Sequence, residues 1–152
     1  MKPSPARIRD WTKSPSGRTI FVDELNHRLL VEDGSGKLRA VTGEFRYPRA
    51  VAVLDSLAYV VDCWNHRVRA FHIPEWTPAF DFGSFFCPSS ITTVNGLLVV
   101  ADTNNRRLAF HRPDGSHAFS YSLNGFPDRV ELDCGGRLRV HYDDGETETL
   151  NY

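Results

Sequence analysis

The chain has 152 residues, of which 41% are hydrophobic, and a formal net charge of −1 at pH 7. That length suits one domain with a buried core, and the near-neutral balance argues against indiscriminate attraction to nucleic acid or anionic lipid. No run approaches the ~20 apolar residues of a membrane span, so no membrane partner is expected.

Met1 to Arg7 lead into no apolar stretch, so no secretory signal is expected. The first strand is expected within Arg7–Trp11, before an enlarged turn containing Ser14-Pro15-Ser16-Gly17. Ile20-Phe21-Val22 and Leu29-Leu30-Val31 follow as strands, and the turn Asp33-Gly34-Ser35-Gly36 leads to Leu38-Arg39-Ala40-Val41. After Pro48, Arg49–Leu54 is a β-rich run closed by an Asp55-Ser56 turn. Leu57–Val61 is nearly all apolar, as a strand covered on both faces should be. Arg67–Phe71 alternates with period two, and Ala79–Phe82 ends at Gly83. The plan repeats after Pro88: Ile91–Val94, the hairpin pair Asn95-Gly96, Leu97–Ala101, Arg107–Phe110, the turn Pro113-Asp114-Gly115 and Ala118–Tyr121. Beyond Pro127, Arg129–Leu132 and Arg137–Val140 are strands, with room for a third but no fourth. Helical periodicity is absent throughout.

One signature organises these runs. Asp23-Glu24-Leu25-Asn26-His27-Arg28 returns as Asp62-Cys63-Trp64-Asn65-His66-Arg67 and as Asp102-Thr103-Asn104-Asn105-Arg106-Arg107, the Asp residues standing 39 and then 40 positions apart. A period of this size marks one supersecondary unit copied in series. The copies span approximately 6–43, 44–83, 84–122 and 123–152 of a single domain. The fourth is degenerate, with His141, Asp144 and Glu146 where the signature should recur, as expected of an end unit with no successor to pack on. Asn26, Asn65 and Asn105 suit the left-handed backbone of a tight turn. Arg28, Arg67 and Arg107 suit a two-pronged grip on the carboxylates of Asp23, Asp62 and Asp102. Copied three times, these nine residues read as structural fasteners rather than catalysts.

The combination resembles the NHL-repeat family of β-propellers: Pro, an apolar strand, a strand ending in Asp, then Asn-x-Arg-[Val/Ile] and a Phe. The second copy matches closely from Pro48 through Asp62, Asn65, His66, Arg67 and Val68 to Phe71, and the likeness holds over about residues 18–127. The usual Gly two positions after Pro is replaced by Ala50 and Ser90. The resemblance implies an all-β propeller of about four blades, each a four-stranded antiparallel sheet, the last incomplete. Family propellers commonly close with more blades, so the expectations are a small closed ring, a piece of a larger one, or self-association that covers the open edges.

In such propellers the loops joining second to third strands and successive blades share one face. Here that face would gather His27, Arg46, Tyr47, Arg49, Trp64, His66, Phe86, Cys87, Asn104 and Phe126, a mixture of Arg and aromatics typical of interface hot spots. Phe45, Phe85 and Phe126 are expected to pack between blades. His27 and His66 are equivalent and could line one mouth, but the third copy carries Arg106 there, so no metal site and no cofactor is expected. Three Cys with no CxxC pair suit a reduced, cytoplasmic chain. Cys63 and Cys87 fall where adjacent blades could bring them together. With no GxSxG, HExxH or phosphate loop, the expected role is a non-enzymatic binding or scaffold module for protein or peptide. The alternatives are single-stranded RNA binding through Arg46, Tyr47 and Arg49, and a metal-dependent lyase or hydrolase of the propeller type.

Overall fold

A computed structural model describes residues 6–151; Met1–Pro5, on which the expectation of no secretory signal partly rests, and Tyr152 lie outside the described residues. Fifteen strands form four antiparallel sheets in a ring, a four-bladed β-propeller whose last blade has three strands. Blade 1 holds β1 (Ile8–Lys13), β2 (Thr19–Asp23), β3 (Arg28–Glu32) and β4 (Leu38–Val41). Blade 2 holds β5 (Pro48–Leu54), β6 (Leu57–Asp62), β7 (Arg67–His72) and β8 (Thr77–Phe82). Blade 3 holds β9 (Ser90–Val94), β10 (Leu97–Asp102), β11 (Arg107–His111) and β12 (His117–Ser122). Blade 4 ends the ring with β13 (Pro127–Leu132), β14 (Leu138–Tyr142) and β15 (Thr147–Leu150). No helix among the described residues is long and apolar enough to cross a membrane.

Within each sheet the strands follow chain order, so every connection is a hairpin and only the first and last strands are edges. The β9–β10 hairpin turns on Asn95 and Gly96 at φ of 50° and 77°, the two positive values a tight two-residue turn needs. Innermost strands β1, β5, β9 and β13 surround a central channel whose wall includes Arg9, Asp10, Arg49, Asp128, Arg129 and Glu131.

The core is divided by blade boundary. Ile20, Val22, Leu29 and Val31 of blade 1 pack on Val51, Val60 and Phe71 of blade 2. Tyr59, Val61, Val68 and Ala70 of blade 2 meet Phe85, Ile91, Leu98, Val100 and Ala109. Val99, Ala101, Leu108 and Phe110 of blade 3 meet Val130, Leu138, Val140 and Leu150 of blade 4. Phe45 and Phe85 are buried between blades as expected, whereas Phe126 is half-buried under the Arg106 guanidinium, 4.4 Å from its ring centroid. Between blades 4 and 1 no such apolar cluster forms among the described residues. Charges link them instead: Arg9 pairs with Asp128 at 3.3 Å, and Arg129 lies near Asp10.

Two details of the signature differ from the sequence reading. The left-handed residue of each turn is His27, His66 or Arg106 (φ of 53°, 55° and 49°), one position after the Asn. Asn26, Asn65 and Asn105 end one-turn 3-10 segments (Glu24–Asn26, Cys63–Asn65, Thr103–Asn105) and donate Nδ2 to the Asp Oδ2 at 3.0, 2.9 and 2.9 Å. Nor is the arginine grip two-pronged. Arg28, Arg67 and Arg107 each use Nε alone, at 2.8, 2.9 and 2.7 Å from the same oxygen. The other carboxylate oxygen is already occupied by the backbone N–H of Arg7, Arg46 or Phe86, at 2.9, 2.8 and 2.8 Å. One buried carboxylate thereby ties a turn, a strand and the incoming loop of its own blade.

Candidate functional site

The three clasps hold the loop face in one repeated geometry, and the residues at the left-handed positions reach from each blade to the next. His27 Nδ1 accepts the Tyr47 N–H at 2.9 Å, and His66 Nδ1 accepts the Cys87 N–H at 3.0 Å. Each imidazole is therefore a hook between neighbouring blades. Among the described residues no three His, Cys, Asp or Glu side chains gather in a metal-binding group.

Aromatic contacts extend from these hooks. The His27 ring meets Tyr47 edge-on at 4.4 Å, Tyr47 leans on Trp64 at 5.2 Å, and His66 meets Phe86 edge-on at 5.6 Å. Trp64 and Phe86 remain about half exposed, at 50% and 51%. The backbone pins them further: Trp64 donates its N–H to Arg46 O at 3.0 Å, and Asn104 donates to Phe86 O at 3.1 Å. Of the sequence-selected residues, His27, Arg46, Tyr47, Trp64, His66, Phe86 and Asn104 share this face. Arg46, His66 and Asn104 are exposed, Tyr47 half-buried.

Arg49 stands apart. Its side chain lies in the channel wall, donating to Glu24 Oε2 at 3.1 Å and to Ser89 Oγ at 3.3 Å. Asp10, also in the channel, accepts the Val51 N–H at 3.1 Å, and burial raises its carboxyl above the ordinary value despite that bond and nearby Arg129 and Arg9. Cys63 and Cys87 do come together. Burial, with Cys87 alongside, pushes the Cys63 thiol up to about 12, so it is inert at neutral pH.

Sequence reasoning missed a cleft on the opposite face, between blades 1 and 2. It has a volume of about 470 Å³ and is lined by Ile20, Val31, Arg18, Arg39, Ile73 and Trp76 among others. Its signal lies in the repeat columns, where blade 1 lacks the large side chain that each of the next two blades carries.

No protein-family model matches the sequence, and none of the curated proteins does. Solved structures match the fold. Hydrazine synthase of Kuenenia stuttgartiensis superposes with a TM-score of 0.78 at 18% identity, over 94% of this chain and 49% of that one. The WD40 β-propeller domain of Doa1 gives 0.77 at 14% identity, over 93% of this chain and 50% of that one. The computationally designed Ika4 protein gives 0.76 at 11% identity, over 97% of this chain and 92% of that one. The chain thus spans about half the length of the first two and nearly all of the third. These likenesses establish the propeller fold alone.

Proposed function

We propose that this chain is a non-enzymatic binding module, related to NHL-repeat propellers, that holds a protein or peptide partner on its loop face. The observation that carries this reading is the row of rigid, half-exposed aromatics, Trp64 and Phe86, braced by Tyr47 and His66 and flanked by exposed Arg46. Aromatic side chains already braced by their neighbours lose little freedom on binding, which is how a few residues come to dominate an interface. The NHL relationship rests on the Asp, Asn and Arg clasp repeated in three blades. A cytoplasmic location belongs to the same reading, supported by the three unpaired cysteines.

RNA binding is the weaker reading on this geometry. Arg49, one of its three residues, is engaged by Glu24 inside the channel, which leaves Arg46 and Tyr47 to face a strand.

The test is to select peptide ligands from a random library on the intact chain and measure their affinity by calorimetry. Substituting Trp64→Ala or Phe86→Ala should weaken the selected peptides by about 2 kcal/mol, the size of an interface hot spot. Peptides that bind both variants as tightly as the parent would place recognition elsewhere.

A further inference from the structure

Each inter-blade junction faces the same packing problem below the central strands, and the repeat allows the solutions to be compared column by column. At the junction of blades 2 and 3, Tyr59 is fully buried and donates its hydroxyl to Pro113 O at 2.7 Å, with Phe80 and Phe82 meeting its ring edge-on. At the junction of blades 3 and 4 the aromatic moves one strand outward. Val99 occupies the Tyr59 column, while Phe110 stacks on Phe119 at 4.3 Å and 14°.

Blade 1 uses neither solution. Ile20 stands in the column of Tyr59 and Val99, and Val31 in that of Ala70 and Phe110. Arg39 pairs with Val31 where Phe80 pairs with Ala70 and Phe119 with Phe110. The space left is the cleft of about 470 Å³, closed on the blade 2 side by Ile73, Pro74 and Trp76. Ile73 follows Arg67 at the interval at which Pro113 follows Arg107, so it carries the carbonyl at the chain position that receives the Tyr59 hydroxyl.

The charges around the opening are unequally engaged. Glu32 accepts the Thr19 N–H at 2.9 Å, and Asp33 accepts Ser35 N–H and Oγ–H at 2.8 and 2.6 Å. The third acid in the lining is Asp55, in the β5–β6 turn. Among the described residues, neither Arg18 nor Arg39 makes an ion pair within 4.0 Å. An apolar slot with two guanidiniums at its rim, Arg39 and an Arg18 that is within electrostatic reach of Asp33 but makes no close ion pair, suits a ring that carries a carboxylate nearby.

We propose that this cleft is a second binding site, separate from the loop face, and that it receives a tyrosine side chain of a peptide partner with an adjacent carboxylate. The ring takes the place that Tyr59 fills one junction along, its hydroxyl directed at the Ile73–Trp76 turn and the carboxylate at Arg18 and Arg39.

N-acetyl-L-tyrosine and N-acetyl-L-leucine are the probes, titrated into the intact chain while the Trp76 indole N–H is followed by NMR. The tyrosine probe should produce a saturable shift with affinity about tenfold above the leucine probe, which has the carboxylate but no ring. Ile20→Tyr installs the blade 2 residue and should abolish the response. Arg39→Phe, the Phe80 and Phe119 solution, should abolish it too, and decides the matter should Ile20→Tyr fail to fold. The absence of a saturable shift, equal affinity for the two probes, or a response that survives in the folded variants would overturn the proposal.

Discussion

At the residue scale, a buried carboxylate with both oxygens engaged is the feature on which each of the first three blades turns. Asp62 takes Arg46 N–H, Asn65 Nδ2 and Arg67 Nε at 2.8, 2.9 and 2.9 Å. Asp62→Ala would strand three donors around a hole, and the expected loss is ~3 kcal/mol or more in urea unfolding. A loss below ~1 kcal/mol would show that the clasp is incidental. Gly83 is equally constrained. Its φ is +112°, and a Cβ there would lie 1.8 Å from the buried Phe85 ring, so Gly83→Ala should cost ~3 kcal/mol by the same assay. The cysteines give a chemical check: exposed Cys134 should react with maleimide in the native protein, and buried Cys63 only on unfolding. The sequence showed which residue types clasp, because three copies align. It did not show which residue turns left-handed. Asn is the usual choice, but here its amide is held by the Asp, and the strain passes to His27, His66 and Arg106, whose side chains reach the next blade or its loop.

At the element scale, hairpin boundaries were legible wherever an apolar run met a turn pair such as Asn95-Gly96, and the first fourteen strands fall on or beside the expected runs. By contrast β15, Thr147-Glu148-Thr149-Leu150, is too polar to stand out and is legible only as room for a third strand. The junctions between blades were less so, because a strand's period tells which side chains share a face and not which neighbour fills it. His111 illustrates this. It lies at the blade 2–3 junction, 5.0 Å from the Phe82 ring and 5.3 Å from Phe85, with Nδ1 against Gly115 O at 2.9 Å. Burial pushes its pKa below the ordinary 6.5, outweighing the Gly115 contact, which raises it. Just below pH 6.5 the unfolded chain therefore binds a proton that the folded chain refuses, and stability should fall as the pH drops through that window. His111→Gln should show a shallower decline there, measured as urea midpoint against pH. Asp23 acts further down. Burial alone would raise its carboxyl, but Arg7 N–H, Arg28 and Asn26 hold it below 3.8, so its contribution is complete above that value and lost as pH falls through the lower folded one.

At the scale of the whole molecule, the two end blades differ in what they turn outward. On blade 1, Trp11, Phe21, Leu30 and Ala40 are cross-strand partners on the face directed away from blade 2, and Leu38 shares that face. Trp11 is 58% exposed and Leu38 55%. On blade 4 the corresponding outward face carries Arg129, Glu131, Arg139 and His141, with Glu131 accepting from His141 at 2.8 Å. A polar face of that kind is at home in water; an apolar sheet face is not. Self-association, one of the three expectations for so small a propeller, should accordingly use blade 1 against blade 1 of a second copy, an isologous pairing of like with like. Pairing blade 4 of one copy with blade 1 of the next would set Arg139 and the Glu131 ion pairs against Leu30 and Phe21 and strip water from those charges against an apolar face. Sedimentation equilibrium at micromolar concentration should therefore return about twice the 17.2 kDa of one chain. Trp11→Arg should return the single-chain mass without loss of the folded spectrum, because Trp11 contributes to none of the three inter-blade clusters. Arg139→Glu, on the other end face, should leave the dimer intact. A parent chain that sediments as a monomer would remove the pairing, and a dimer lost with Arg139→Glu but kept with Trp11→Arg would move it to blade 4.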